Sequence, residues 1–176
     1  MTKQELAKQI CDAALLHGDF TLRSGRKSKY YMDKYLFETQ PAILTALGAM
    51  FAERVKASGK VDRLAGAELG GIPLVTAASM ATGLPSVLIR NQKKDYGTAK
   101  QLEGKMEKGE RILIVEDVAT TGGQVLEAAK VIQSFGCEVV KIIAVIDRQE
   151  GARENIEGAG FAFDALFTKA DLGIKE

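Results

Sequence analysis

Residues 111–124 constrain this chain more than any other stretch. They read Arg-Ile-Leu-Ile-Val-Glu-Asp-Val-Ala-Thr-Thr-Gly-Gly-Gln. The four apolar residues at 112–115, with turn residues beyond them, fit a buried strand. Two carboxylates, Glu116 and Asp117, close the run, small and hydroxyl residues follow, and helical apolar spacing starts at Val125. A strand that stops at the acid pair and turns through Thr120, Thr121, Gly122 and Gly123 directs backbone N–H groups at one spot. That spot is also the positive end of the next helix, so it suits a phosphate. The adjacent carboxylates suit ribose hydroxyls, or a metal on a phosphorylated sugar. The plain alternative is the capped strand-to-helix turn of any α/β protein.

The rest of the chain supplies the frame. Apolar positions Leu6, Ala7, Ile10, Ala13, Ala14 and Leu16 predict a helix over 3–16, ended by Gly18. Short strands are expected at 19–23 and 29–33 around a turn at 24–28. Pro41 opens a second helix, closed by Gly59. A strand at 63–67, a Gly70-Gly71 turn, a helix over 73–82 and a strand at 85–90 come next. Residues 91–109 are polar, charged and without a period. The strand at 111–115, a helix over 123–135, strands at 139–146 and 161–167 and a short tail helix complete the chain. Alternating helices and continuous apolar strands predict an α/β fold, a central parallel sheet with helices on both faces. Ligands of such sheets bind beyond the carboxyl ends of the strands. Segments 66–71, 90–98, 116–124 and 147–150 all fall there, which predicts one site built from four loops.

Composition excludes other classes. The 176 residues fit one domain spanning 1–176, and no further catalytic domain is expected after the last strand. A net charge of +1 gives no electrostatic case for nucleic acid as a partner. No apolar run reaches membrane-spanning length and no signal-peptide core opens the chain, so a cytoplasmic location is expected. Cys11 and Cys137 lack metal or CxxC spacing and read as reduced thiols. His17, the single histidine, sits before Gly18 where a helix-capping role is expected, and a Ser-His-Asp or zinc mechanism is disfavoured. Neither GxGxxG after a strand nor GxxxxGK[ST] occurs, which disfavours dinucleotide and P-loop sites.

The run at 111–124 resembles the phosphoribosyl-pyrophosphate (PRPP) motif of the type I phosphoribosyltransferases. Three further segments narrow the resemblance to the orotate phosphoribosyltransferases. Residues 90–98, Arg-Asn-Gln-Lys-Lys-Asp-Tyr-Gly-Thr, resemble that family's catalytic loop, with Arg90, Lys94, Asp95 and Gly97 matching. Asn91 stands where the family usually has Lys, and Tyr96 where many members have His. Lys93 adds a further cation. Residues 20–33 resemble the family's N-terminal hood over the base, with Arg23 at a position that is often Lys and Tyr31 at an aromatic one. Asp147, Arg148, Gln149 and Glu150 match the segment whose arginine grips the base. Residues 66–73 are similar to the pyrophosphate loop, with Gly70 where many members have Lys.

The resemblance implies the type I phosphoribosyltransferase fold, with a hood over about 1–35 and a flexible catalytic loop over about 91–109. It implies transfer of ribose 5-phosphate from PRPP to N1 of orotate, in pyrimidine biosynthesis, with Mg²⁺ held mainly by PRPP and no direct protein ligand. Catalytic roles are implied for Arg90, Lys94 and Asp117. PRPP binding is implied for Arg90, Asn91, Lys94, Tyr96, Glu116, Asp117, Val118, Ala119, Thr120, Thr121, Gly122, Gly123 and Gln124. Orotate binding is implied for Arg23, Tyr31, Thr120 and Arg148. A homodimer is implied too, with loop 91–98 reaching the neighbouring site. A phosphoribosyltransferase for another base and a PRPP-binding regulator without catalysis are the alternatives.

Overall fold

The structure, a computed structural model, describes residues 1–21, 25, 27–91 and 101–174. Its helices are α1 (Lys3–Ala14), α2 (Lys34–Glu38), α3 (Pro41–Ala57), α4 (Gly71–Thr82), α5 (Gly123–Ser134) and α6 (Ala152–Gly158). Its strands are β1 (Leu15–Thr21), β2 (Lys27–Met32), β3 (Arg63–Ala67), β4 (Ser86–Ile89), β5 (Leu102–Glu103), β6 (Arg111–Ala119), β7 (Glu138–Asp147) and β8 (Phe163–Thr168). β1 and β2 form an antiparallel hairpin apart from the main sheet. The main sheet has six strands in the order β5-β4-β3-β6-β7-β8. All its pairings are parallel except β4–β5 at the edge.

Side chains alternate across the strands and split the core into two layers. Leu113 and Val115 of β6 pack with α1, α3 and α4, and Ile112 and Ile114 pack with α5 and α6. Covering both faces explains why the centres of β6 and β7, at 112–115 and 142–146, read as continuous apolar runs. Local signals set the helix ends. Thr2 accepts the Glu5 N–H and Glu5 accepts the Thr2 N–H, a reciprocal capping box that starts α1. Pro41 occupies the first turn of α3, and Gly83 ends α4 in a left-handed conformation.

Several expectations need correction. The first helix stops at Ala14, because Leu15 leaves the helix to pair with Met32 in the hairpin. His17 therefore lies in β1 opposite Tyr30, and Gly18 falls at the irregularity before Phe20. α1 packs its Leu6 and Ile10 into the main core, so only the β1–β2 hairpin stands apart as a hood. β6 does not stop at the acid pair but runs through it to Ala119, because β7 continues the ladder to Asp147. Within the polar stretch 91–109, Leu102 is buried and pairs with Ile89. The short helices α2 and α6 carry too few turns for a periodic signal. Turns rather than a helix follow β8.

Candidate active site

The carboxyl end of β6 carries Glu116 and Asp117, both buried. Ionised carboxylates are costly to bury without partners. Asp117 has them: the Lys34 ammonium lies 2.5 Å from Oδ2, and the Val118 N–H donates to Oδ1 at 2.5 Å. Burial opposes the charge on Lys34, but Asp117 outweighs it and holds the amine above its ordinary range. Glu116 keeps one oxygen, Oε2, buried without a partner. Burial pushes its carboxyl well above the usual carboxylate range, and the charge of Asp117 adds to the rise. Glu38, one turn beyond Lys34 on α2, is 1% exposed, and neither of its oxygens has a hydrogen-bond partner. Burial raises its carboxyl to about 8, with Asp117 adding and Lys34 opposing. Gly70 closes the cluster from the start of α4. A Cβ at that position would lie 1.9 Å from Asp117 Oδ2 and 3.0 Å from Glu38 Oε1. Position 70 thus admits glycine alone while Asp117 is held this way.

Beyond β6 the chain turns through Thr120, Thr121 and Gly122 into α5. Gly122 has a φ of 79°, and a Cβ there would meet Ile156 Cγ1 at 2.9 Å, so both backbone and space demand glycine. No side chain caps α5, which leaves its first-turn N–H groups for another partner. The Asn155 amide holds the turn from α6 by donating to the Thr121 carbonyl at 2.9 Å. This turn borders a cavity of about 1280 Å³, lined also by Glu116, Val118, Ala119, Gly123 and Gln124. Arg148 and Glu150 line it from the loop after β7, and Leu16, Phe20 and Tyr31 from the hood. Phe20 and Tyr31 hold their rings 5.6 Å apart. The Arg148 guanidinium pairs with Glu150 at 3.1 Å, and its backbone N–H donates to the Ala119 carbonyl. Gln149 takes a left-handed backbone (φ 57°), which is sparse for a residue with a Cβ. The buried Asp147 steadies this turn by accepting the Gln149 N–H at 2.8 Å.

The glycine turn, Glu116, Arg148 and the two hood aromatic rings thus line one cavity. A family model of the phosphoribosyl transferase domain matches residues 36–168. The orotate phosphoribosyltransferase of Pyrococcus abyssi is 45% identical over 172 residues, 97% of this chain and 94% of that protein. The chain belongs to the orotate phosphoribosyltransferases. The Mycobacterium tuberculosis H37Rv orotate phosphoribosyltransferase, solved in complex with Fe(III) dicitrate, superposes with a TM-score of 0.88 at 34% identity, covering 97% of this chain and 98% of that one. The same enzyme solved in complex with PRPP superposes at a TM-score of 0.82 and 32% identity, with the same two coverages.

Most residues that the sequence marks for an orotate phosphoribosyltransferase site converge. Glu116, Val118, Ala119, Thr120, Thr121, Gly122, Gly123, Gln124, Arg148 and Tyr31 share the cavity lining. Asp117 sits behind that lining, on Lys34. Arg90 follows β4 and lies 3.8 Å from Glu103 of β5 rather than at the acid pair. Asn91 bridges loops: its N–H donates to Glu68 at 2.7 Å, and its side-chain oxygen accepts from Gln124 at 2.9 Å. Arg23, Lys93, Lys94, Asp95, Tyr96 and Gly97 lie outside the described residues. Sequence reading missed Lys34, Glu38 and Asn155. The i,i+4 spacing of Lys34 and Glu38 was visible, but nothing in the sequence put that helix against β6.

Among the described residues no three His, Cys, Asp or Glu side chains group as metal ligands. Glu116 and Asp117 are oxygen donors of the kind Mg²⁺ accepts, and the unpartnered Glu116 Oε2 has capacity to spare. They fit a metal that arrives on the ligand's own phosphates. No helix among the described residues is long and apolar enough to cross a membrane.

Proposed function

We propose that the chain transfers ribose 5-phosphate from PRPP to N1 of orotate, giving orotidine 5'-phosphate and pyrophosphate in pyrimidine biosynthesis. The observation that carries this reading is one cavity that joins the glycine turn and Glu116 to Arg148 and the hood aromatics. The N–H groups of residues 119–123 take the 5'-phosphate at the positive end of α5. Glu116 and Asp117 accept hydrogen bonds from the ribose hydroxyls. Arg148 grips the orotate carboxylate with two parallel N–H donors, with Thr120 beside the base and Tyr31 and Arg23 over it. The bond from C1 of the ribose to the pyrophosphate oxygen breaks as N1 of orotate bonds to C1, and the N1 proton leaves to the departing pyrophosphate or to water. Positive charge grows on the sugar ring and negative charge on the departing group. Arg90, Lys94, Tyr96 and Asn91 close on that group and exclude water. When bound, Mg²⁺ would spread the same negative charge. No covalent enzyme intermediate is required. The working unit is a homodimer whose loop 91–98 reaches the partner's site.

Loss of orotate absorbance after addition of PRPP and Mg²⁺ tests the reading, with adenine, hypoxanthine and uracil in parallel. Consumption of orotate that needs both additions is the expected result. Turnover of another base instead would remove the role given to Arg148. PRPP binding without turnover of any base would favour a regulator.

A further inference from the structure

The Lys34–Asp117 pair is an odd feature for a site that has to receive ribose hydroxyls. Asp117 already has both oxygens engaged, one by Lys34 and one by the Val118 N–H. A ligand that uses Asp117 must share it with the ammonium or move the ammonium aside. Lys34 is able to move. Its side chain is 29% exposed, against 5% for Asp117, and it ends a flexible four-carbon stem. Asp117 holds Lys34 and, against the effect of burial, keeps its amine above the ordinary range. Glu38 is fully buried beside position 70 with neither oxygen partnered. No side chain rises from Gly70 into this space, and any Cβ there would collide with Asp117. Gly70 caps α4, a helix of 12 residues without a side-chain cap, so its first N–H groups add positive potential beside the ammonium. An anion would be drawn to the place where a released ammonium and a helix start meet.

We propose that Lys34 is a ligand-binding residue of this site, taking the pyrophosphate group of PRPP when the ribose hydroxyls engage Asp117. The proposal rests on the reading of the chain as a PRPP-using transferase. It assigns α2 a function: the helix delivers a cation to the strand end across from a position that has to be glycine. In the free protein the same cation pairs with the buried Asp117 side chain. In the complex it neutralises charge on the group that will leave.

Titration calorimetry with PRPP, pyrophosphate and ribose 5-phosphate, each with Mg²⁺ present, separates the possibilities. Lys34→Met is expected to weaken PRPP and pyrophosphate about tenfold or more, a difference of about 1.4 kcal/mol or more. Ribose 5-phosphate should bind as it does to the wild type, and Lys34→Arg should recover most of the loss. If Lys34 serves only to position Asp117, ribose 5-phosphate will weaken and pyrophosphate will not, which overturns the proposal. Tighter PRPP binding by Lys34→Met would overturn it too, by showing that the pair only blocks the site. A wild type that binds neither PRPP nor pyrophosphate would remove the transferase reading along with it. Thermal melts accompany each variant. Should Lys34→Met not fold, Lys34→Gln carries the comparison, and pyrophosphate affinity equal to the wild type would defeat the idea.

Discussion

Arg148 meets the cavity already paired with Glu150, so an incoming carboxylate competes with one the protein supplies. A substrate that offers two oxygens in a plane can outbid a single 3.1 Å contact, because both guanidinium N–H donors are then used. Arg148→Ala should raise the KM for orotate by roughly ten- to a hundredfold, while the KM for PRPP moves far less. Steady-state kinetics with each substrate varied in turn checks this, and equal effects on both would count against the base-gripping role. Glu38 makes a different prediction. Its carboxyl rises from the ordinary 4.5 to about 8 on folding, so between those pH values the folded protein holds a proton that the unfolded chain has lost. Stability therefore falls as pH climbs from about 4.5 to about 8, at most about 1.4 kcal/mol for each pH unit. Glu116 is raised too and acts with the same sign. Glu38→Gln should flatten that slope in urea melts at pH 5, 6.5 and 8, and parallel slopes in wild type and variant would exclude the contribution.

The strand-to-turn-to-helix element at 111–134 separates chemistry from scaffold along its length. Its carboxyl end holds the acid pair and the glycine turn. Its amino end is fixed by Arg63 of β3, whose guanidinium grips Glu110 with two bonds of 2.8 and 2.7 Å. The pair is largely shielded, with side-chain exposures of 11% and 17%. Arg63→Ala should cost on the order of 1–3 kcal/mol, since it strips two charged hydrogen bonds and strands a carboxylate. The hydrogen bonds from Arg63 hold the Glu110 carboxyl below its ordinary range. This contribution is complete above the ordinary value of 4.5 and disappears as pH falls through the lowered one. Denaturant melts at pH 7 and at pH 3 should show wild type and Arg63→Ala converging in acid. The KM values for both substrates should not change, because the pair lies at the far end of the strands from the cavity. Sequence reading had placed Arg63 on a strand, but its partner lies across the sheet and no local spacing links the two.

At the scale of the whole molecule, the proposed dimer predicts complementation. Tyr35, Leu36 and Leu69 are exposed apolar side chains, the kind of surface that a partner covers. If loop 91–98 serves the partner's site, Lys94→Ala and Asp117→Asn disable different chains of the same site. Each protein alone should be nearly inactive. An equal mixture, after dissociation and reassociation, should regain about a quarter of wild-type activity, because half the dimers are mixed and each mixed dimer has one intact site. A mixture no more active than its components would confine each site to one chain. Sedimentation at several concentrations supplies the oligomeric state independently.

The sequence by itself determined the sheet and the glycine turn. Continuous apolar runs at 112–115 and 142–146 require cover on both faces, and the Thr-Thr-Gly-Gly stretch after the acid pair marks a turn into the next helix. Those are local signals, read within one or two elements. The tertiary structure decided where β6 ends, since its length follows from the ladder with β7. It decided that the chain leaves α1 at Leu15, because pairing with Met32 outweighs a helical pattern that runs on to Leu16. It also decided which charges meet. Lys34 and Asp117 are 83 positions apart, and only the docking of a five-residue helix against the strand end brings them to 2.5 Å. Burial and long-range charge set the states of Glu38 and Glu116, and neither quantity is written in the residues near them along the chain.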